Sequence, residues 1–188
     1  YKINHLSLYQ LTIEPNTIFY KKELKIPNDA IIESMESMAA EILNKNNIYQ
    51  YEVSSWSRDN RYSKHNMNYW MYGDYLGVGP GAHSKITTEE SIERMVKLKK
   101  VNSYIKDPNK SSITKIDSFS YDLDLAMNLL RIKNGVSFDE LKNRNIHITN
   151  SFKEKILQGI DRGLLEKNTL KATPKGYKFL NDSVNIFS

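Results

Sequence analysis

The sequence predicts an α/β fold followed by a mainly α, winged-helix-like C-terminal domain. Three observations carry that prediction. His5 to Ile13 alternates apolar and polar residues with the period of two that a strand requires. From Asp29 onward, Ile31, Ile32, Met35, Met38, Ala39, Ile42 and Leu43 recur at helical spacing. Beyond residue 118, short helical patterns follow one another, each opened by a capping signal.

In chain order, Glu14-Pro15-Asn16-Thr17 breaks the first strand, and Asn28 or Asp29 caps a helix that ends near Asn46-Asn47. Ile48 to Trp56 reads as a second strand. The glycines within residues 64–84 predict turns and close backbone approach rather than regular structure. Thr87-x-x-Glu90 reads as a capping box for a basic amphipathic helix ending before Asp107-Pro108. Residues 109–118 are polar and are expected to be a linker, dividing the chain into residues 1–108 and 119–188. In the second part a helix is expected over about Tyr121 to Lys133. Ser137 and Ser151 open two more, and Gly163 stops the last of these. Leu164 to Glu166 and Leu170 to Ala172 then form a small hairpin, and Thr173-Pro174 starts a closing helix.

Composition narrows the function classes. The 188 residues are 39% hydrophobic and 26% charged, the balance of a globular chain that buries a core. No apolar run approaches the roughly 20 residues of a membrane span, and no export leader opens the chain, so a cytoplasmic location is expected. The opening Tyr1-Lys2-Ile3-Asn4 lacks an initiator methionine and reads as part of a longer protein. With no cysteine, the chain supplies no disulfide, no thiolate metal ligand and no cysteine nucleophile. The net charge of +5 is compatible with an acidic small molecule or nucleic acid and requires neither. Residues 117–188 hold 11 Lys and Arg against 9 Asp and Glu, a net +2. A DNA-binding winged helix is usually more lopsided, so nucleic-acid binding is not expected.

The chemistry concentrates in "KHNMNYWMYGDYLGVGPGAHS", residues 64 to 84, with two of the four histidines, three tyrosines, a tryptophan and four glycines. Imidazole is a standard axial ligand of haem iron, which makes His65 a candidate ligand. Asn66 or Asn68 could orient that ring, and Tyr69 and Trp70 offer flat faces to a porphyrin. Arg58, Arg61 and Lys64 could meet propionates. A surface loop pinned by two aromatic residues explains the same composition. Gly77-Val78-Gly79-Pro80-Gly81 does not match a nucleotide loop, since Pro80 removes an N–H that would face a phosphate. It serves either as a tight turn or as backbone packed against a large ligand. The Met35 and Met38 stripe reads as core packing. His147 is expected to be structural, as isolated histidines usually are, and His5, at the start of a strand, is open to either role.

"HLSLYQLTIEPNTIF" (5–19), "YQYEVSSWSR" (49–58), "HNMNYWMYGDYLGVGPGAHS" (65–84) and "GLLEKNTLKATPKGYKFLNDSV" (163–184) resemble, in order and spacing, the C-terminal half of the HemW family. These are haem chaperones of the radical-SAM superfamily, similar to oxygen-independent coproporphyrinogen III oxidase. The HNxxYW stretch is the most specific part, because the oxidases carry arginine at the histidine's position. The resemblance implies that residues 5–13 are a late strand of a partial (β/α) barrel and that 119–188 form the appended domain. It implies a haem site of His65, Asn66, Tyr69 and Trp70 with His65 on the iron, and it sets Thr12 and His83 near S-adenosylmethionine. Haem and a haem-acceptor protein, which can be membrane-associated, are the implied partners. The family's [4Fe-4S] cluster is held by Cys-x3-Cys-x2-Cys in the N-terminal half, and this chain has no cysteine. Cluster and S-adenosylmethionine would therefore belong to the intact protein. Haem delivery is the leading expectation and porphyrinogen oxidation the alternative.

Overall fold

A computed structural model describes residues 3–22 and 24–188 of the chain. Its contacts fall into two units, Tyr1–Ser63 and Lys64–Ser188.

The first unit carries a three-stranded antiparallel sheet, β1 (His5–Ser7), β2 (Tyr49–Glu52) and β3 (Ser55–Ser57), in the order β1-β3-β2. The strand expected over residues 5–13 is only three residues long. Its partner β3 offers just three positions, His5↔Ser57, Leu6↔Trp56 and Ser7↔Ser55. The segment expected as one strand from Ile48 to Trp56 is the β2–β3 hairpin. It turns at Val53-Ser54, where the Glu52 carboxylate accepts the Ser54 N–H and hydroxyl. A short helix, α1 (Ile18–Lys21), is capped by Thr17, and α2 (Asp29–Lys45) by Asn28, whose Oδ1 accepts the Ile31 N–H.

In the second unit, residues 64–70 depart from the expected loop and form a helix, α3 (Lys64–Trp70). No glycine or proline interrupts them, and the glycines that favoured a loop begin only at Gly73. Residues 83–115 build a second antiparallel sheet, β4 (His83–Thr87), β5 (Ile92–Lys97) and β6 (Ser111–Lys115), with α4 (Val101–Lys106) between the last two. The long basic helix expected after Thr87 is therefore a hairpin. Thr88, not Thr87, makes the local cap, its hydroxyl oxygen accepting the Glu90 and Ser91 N–H groups across a four-residue turn. The expected linker at 109–118 contains β6, a sheet edge whose side chains are mostly exposed. Exposed edge strands are polar for that reason and read like connectors.

The remaining elements are α5 (Ser118–Leu129), α6 (Phe138–Asn143), α7 (Asn150–Asp161), α8 (Pro174–Lys178) and α9 (Leu180–Asn185). Ser137 and Glu140 form the expected capping box. The α7 cap is Thr149 rather than Ser151. Its oxygen accepts the Phe152 N–H while its hydroxyl donates to buried Asp122, which fixes it in place. Gly163 closes α7 in the left-handed region at φ 68°, as expected of a helix stop. The predicted hairpin is reduced to bridges, Leu165↔Ala172 and Val136↔Leu170. Thr173 caps α8 with Pro174 in its first turn. These pieces enclose one apolar core in which Leu125, Ala126, Leu129, Leu130, Leu141, Phe152, Leu170 and Phe187 have no solvent access.

Candidate functional site

Helix α3 carries the HNxxYW residues, and its geometry sorts them. His65 and Tyr69 are four apart and share one face, as do Asn66 and Trp70. His65 is exposed at the start of the helix, whereas Trp70 packs against the core of the second unit. The Arg131 guanidinium lies 4.3 Å from the Trp70 ring centroid, a favourable cation–π arrangement. Tyr69 meets Trp70 edge-on at 4.6 Å and tilts against Tyr75 at 5.1 Å. One face of the helix is thus anchored and the other presents an imidazole with an aromatic ring one turn on.

The turn that ends α3 is held under strain. Tyr72 adopts φ 60°, a left-handed conformation uncommon for a bulky side chain. Its hydroxyl donates to Asp124 Oδ2 at 2.6 Å, and the buried Lys85 ammonium sits 4.1 Å from its ring centroid. Burial, then the bond to Asp124, raises the Tyr72 pKa far above the ordinary phenol value, so the hydroxyl stays protonated as a donor. Lys85 Nζ donates to the Tyr72 carbonyl at 2.9 Å, to Asp74 at 2.9 Å and to Thr87 at 3.1 Å, so the buried charge is fully partnered. Asp124 also accepts both bonds from Arg94 Nη2, at 2.8 and 2.9 Å. Burial works to lower the Arg94 pKa, but the bonds and charge of Asp124 outweigh it and the net shift is upward.

The glycine-rich loop is a turn pinned by its own protein. Gly77 donates its N–H to Ser84 Oγ and Gly79 donates to the Tyr104 hydroxyl. At Gly77 a methyl group would run into the His83 backbone carbonyl. Leu76 and Val78 project into solvent.

Of the other sequence candidates, His5 and Thr12 belong to the first unit and His83 and His147 to the second. His5 Nε2 and the Tyr51 hydroxyl share a hydrogen bond of 2.8 Å, a structural role. His147 lends its carbonyl to the Tyr121 hydroxyl. Thr12, in the first unit, and His83, in the second, are exposed. Among the described residues, no three His, Asp or Glu side chains gather as a metal cluster, and no helix is long and apolar enough to cross a membrane. Sequence reasoning missed Arg94, Asp124 and Arg131. They lie 24 to 61 positions beyond Trp70, and no local spacing links them to it.

A haem chaperone HemW of Buchnera aphidicola from the aphid Acyrthosiphon pisum is 36% identical over 188 residues, covering 98% of this chain and 50% of that protein. The resemblance to the HemW haem chaperones runs the length of the chain. HemW of Escherichia coli is 28% identical over 97% of the chain and 49% of the relative. A mitochondrial radical S-adenosyl methionine domain-containing protein 1 of Danio rerio is 43% identical over 86 residues, 44% of this chain and 19% of its own length. The chain therefore spans about half the length of the HemW proteins it matches. No family model matches it. Among solved structures, coproporphyrinogen III oxidase HemN from Escherichia coli, a radical SAM enzyme, superposes with a TM-score of 0.70. That match covers 99% of this chain and 48% of that one at 11% identity, so it speaks to the fold alone. The mixed α/β fold of this chain resembles part of that radical-SAM structure.

Proposed function

We propose that this chain is the haem-binding half of a HemW-type chaperone, taking up haem and passing it to an acceptor protein in the cytoplasm. The observation that carries the reading is α3 itself. It presents an exposed His65 with Tyr69 on the same face, in a chain that resembles haem chaperones along its length. His65 would ligate the iron through a neutral imidazole nitrogen. Tyr69 would lie against the porphyrin, and Asn66 and Trp70 would complete the site from the anchored side. The donor set fits haem and does not fit an iron–sulfur cluster, which needs thiolates that a chain without cysteine lacks. A [4Fe-4S] cluster and S-adenosylmethionine, with Thr12 and His83 near the latter, would require the other half of a full-length relative. Residues 119–188 would form a winged-helix-like appendage, supported by three successive helices, the bridge pairs and a closing helix. The acceptor can be a membrane protein, and nucleic acid is not a partner on this reading.

Haem titration followed in the Soret region tests it. His65→Ala is expected to weaken binding by at least about tenfold, the loss of one metal–ligand contact or its support, and to alter the spectrum. Equal affinities and superimposable spectra for His65→Ala and wild type would remove His65 from the iron.

A further inference from the structure

The turn that follows α3 is held by a hydrogen-bonded chain that links β5 and α5 of the second unit to Tyr72 and Tyr75. Asp124, on α5, binds the Tyr72 hydroxyl at 2.6 Å and both of its oxygens meet Arg94 Nη2. Arg94, on β5, directs its other terminal nitrogen to the Tyr75 hydroxyl at 3.4 Å. The Tyr75 ring in turn packs against Tyr69, the motif residue one turn from His65, with ring centroids 5.1 Å apart. Burial, then the neighbouring Tyr69, pushes the Tyr75 pKa up to about 12, so its hydroxyl stays neutral beside Arg94. Arg94 and Asp124 are only partly exposed, and their contact is a close ion pair. A core needs no such pair to be stable, and apolar residues of similar volume usually serve as well. The pair here bonds two tyrosine hydroxyls, that of Tyr72, strained at φ 60°, and that of Tyr75, whose ring packs against Tyr69 on the His65 face of α3.

We propose that Arg94 and Asp124 are positioning residues of the haem site, acting on Tyr69 through Tyr75 and on the end of α3 through Tyr72. The inference rests on the haem-binding reading. A planar guanidinium suits the role, because it can serve Asp124 and the Tyr75 hydroxyl from one rigid fork, which an ammonium cannot.

The test uses the full chain and haem itself. Tyr75→Phe removes a single hydroxyl while keeping the packed ring. It is expected to weaken haem binding roughly fivefold, the order of one net hydrogen bond, and to shift the ferric Soret and electron paramagnetic resonance spectra. Arg94→Gln and Asp124→Asn are expected to do the same or more, with Arg94→Lys restoring only part of the loss. If Tyr75→Phe and Arg94→Gln bind haem with wild-type affinity and spectra while His65→Ala loses binding, the pair is merely structural and the inference falls. If His65→Ala itself binds like wild type, the ligand assignment fails and takes the inference with it.

Discussion

Helix α2 of the first unit turns Ile31, Met35, Met38 and Ile42 outward, each 50–60% exposed, whereas α5 of the second unit carries Leu125, Ala126 and Leu129 fully buried. Both helices are amphipathic, and both have well-formed polar N-caps. They differ in what the chain offers opposite the apolar stripe. Around α5, the described residues supply Leu141, Phe152, Leu170 and Phe187, with Phe152 and Phe187 rings 4.5 Å apart. Buried Asp122 further ties α5 to α7 through the Thr149 hydroxyl and Lys155. Around the α2 stripe, the described residues leave Ile31, Met35, Met38 and Ile42 half or more exposed and bury none of the helix fully. Periodicity states which face of a helix is apolar; burial depends on a partner that periodicity cannot name.

Truncating the two stripes is the strongest way to break this comparison. Leu129→Ala should cost about 2–5 kcal/mol, the transfer energy of the lost methyl groups plus a cavity in a closed core. The two tryptophans make the measurement selective, since Trp56 lies in the first unit and Trp70 in the second. Urea unfolding followed by Trp70 fluorescence in a Trp56→Phe background should show the full loss. A cost below about 1 kcal/mol would mean that the second unit is not the close-packed body its burial pattern implies.

The parts of the molecule legible in the sequence were those with local causes. Asn28, Ser137, Thr173 and Pro174 act at the positions expected, because a cap is a contact between residues three apart. The α2 boundaries follow from its stripe and its flanking asparagines. Elements defined by long-range pairing were not legible. Residues 92–97 become β5 because β4 and β6 flank them, and 111–115 become β6 because β5 needs an edge. At the candidate site, His65 and Tyr69 were visible as a cluster of chemistry. The helix beneath them was hidden by the glycines that follow. Arg94, Asp124 and Arg131 were invisible because the fold, not spacing, brings them to α3.

A smaller effect sharpens the comparison from the polar side. Burial tends to raise the Asp74 pKa, but the Thr87 N–H, Lys85 and the Thr87 hydroxyl outweigh it and hold the carboxyl below the usual range. A carboxylate depressed on folding stabilises the protein above its unfolded pKa of about 3.9 and loses that contribution as pH falls through the folded value. With the Asp74 side chain 40% exposed, solvent screens the ion pair with Lys85 and the contribution should be under about 1 kcal/mol. Asp74→Asn should therefore be less stable than wild type at pH 6, with the gap closing toward pH 2–3. A gap that stays constant across that range would mean that Asp74 does not hold the turn through its charge.

The smallest expected effect belongs to the outward stripe. Met35→Lys replaces one straight-chain helix former by another at a position 59% exposed. It leaves the Asn28 cap and the exposed Glu41–Lys45 pair untouched. Surface substitutions of this kind change stability by no more than about 0.5 kcal/mol. Trp56 fluorescence in a Trp70→Phe background reports on the first unit, so the two stripes can be compared by the same method. Stability within that margin keeps α2 and α5 as opposites. A loss of about 2 kcal/mol or more would mean that a face open among the described residues is covered in solution. The same stripe would then be a packing surface, as its periodicity suggests, and the contrast between the two helices would disappear.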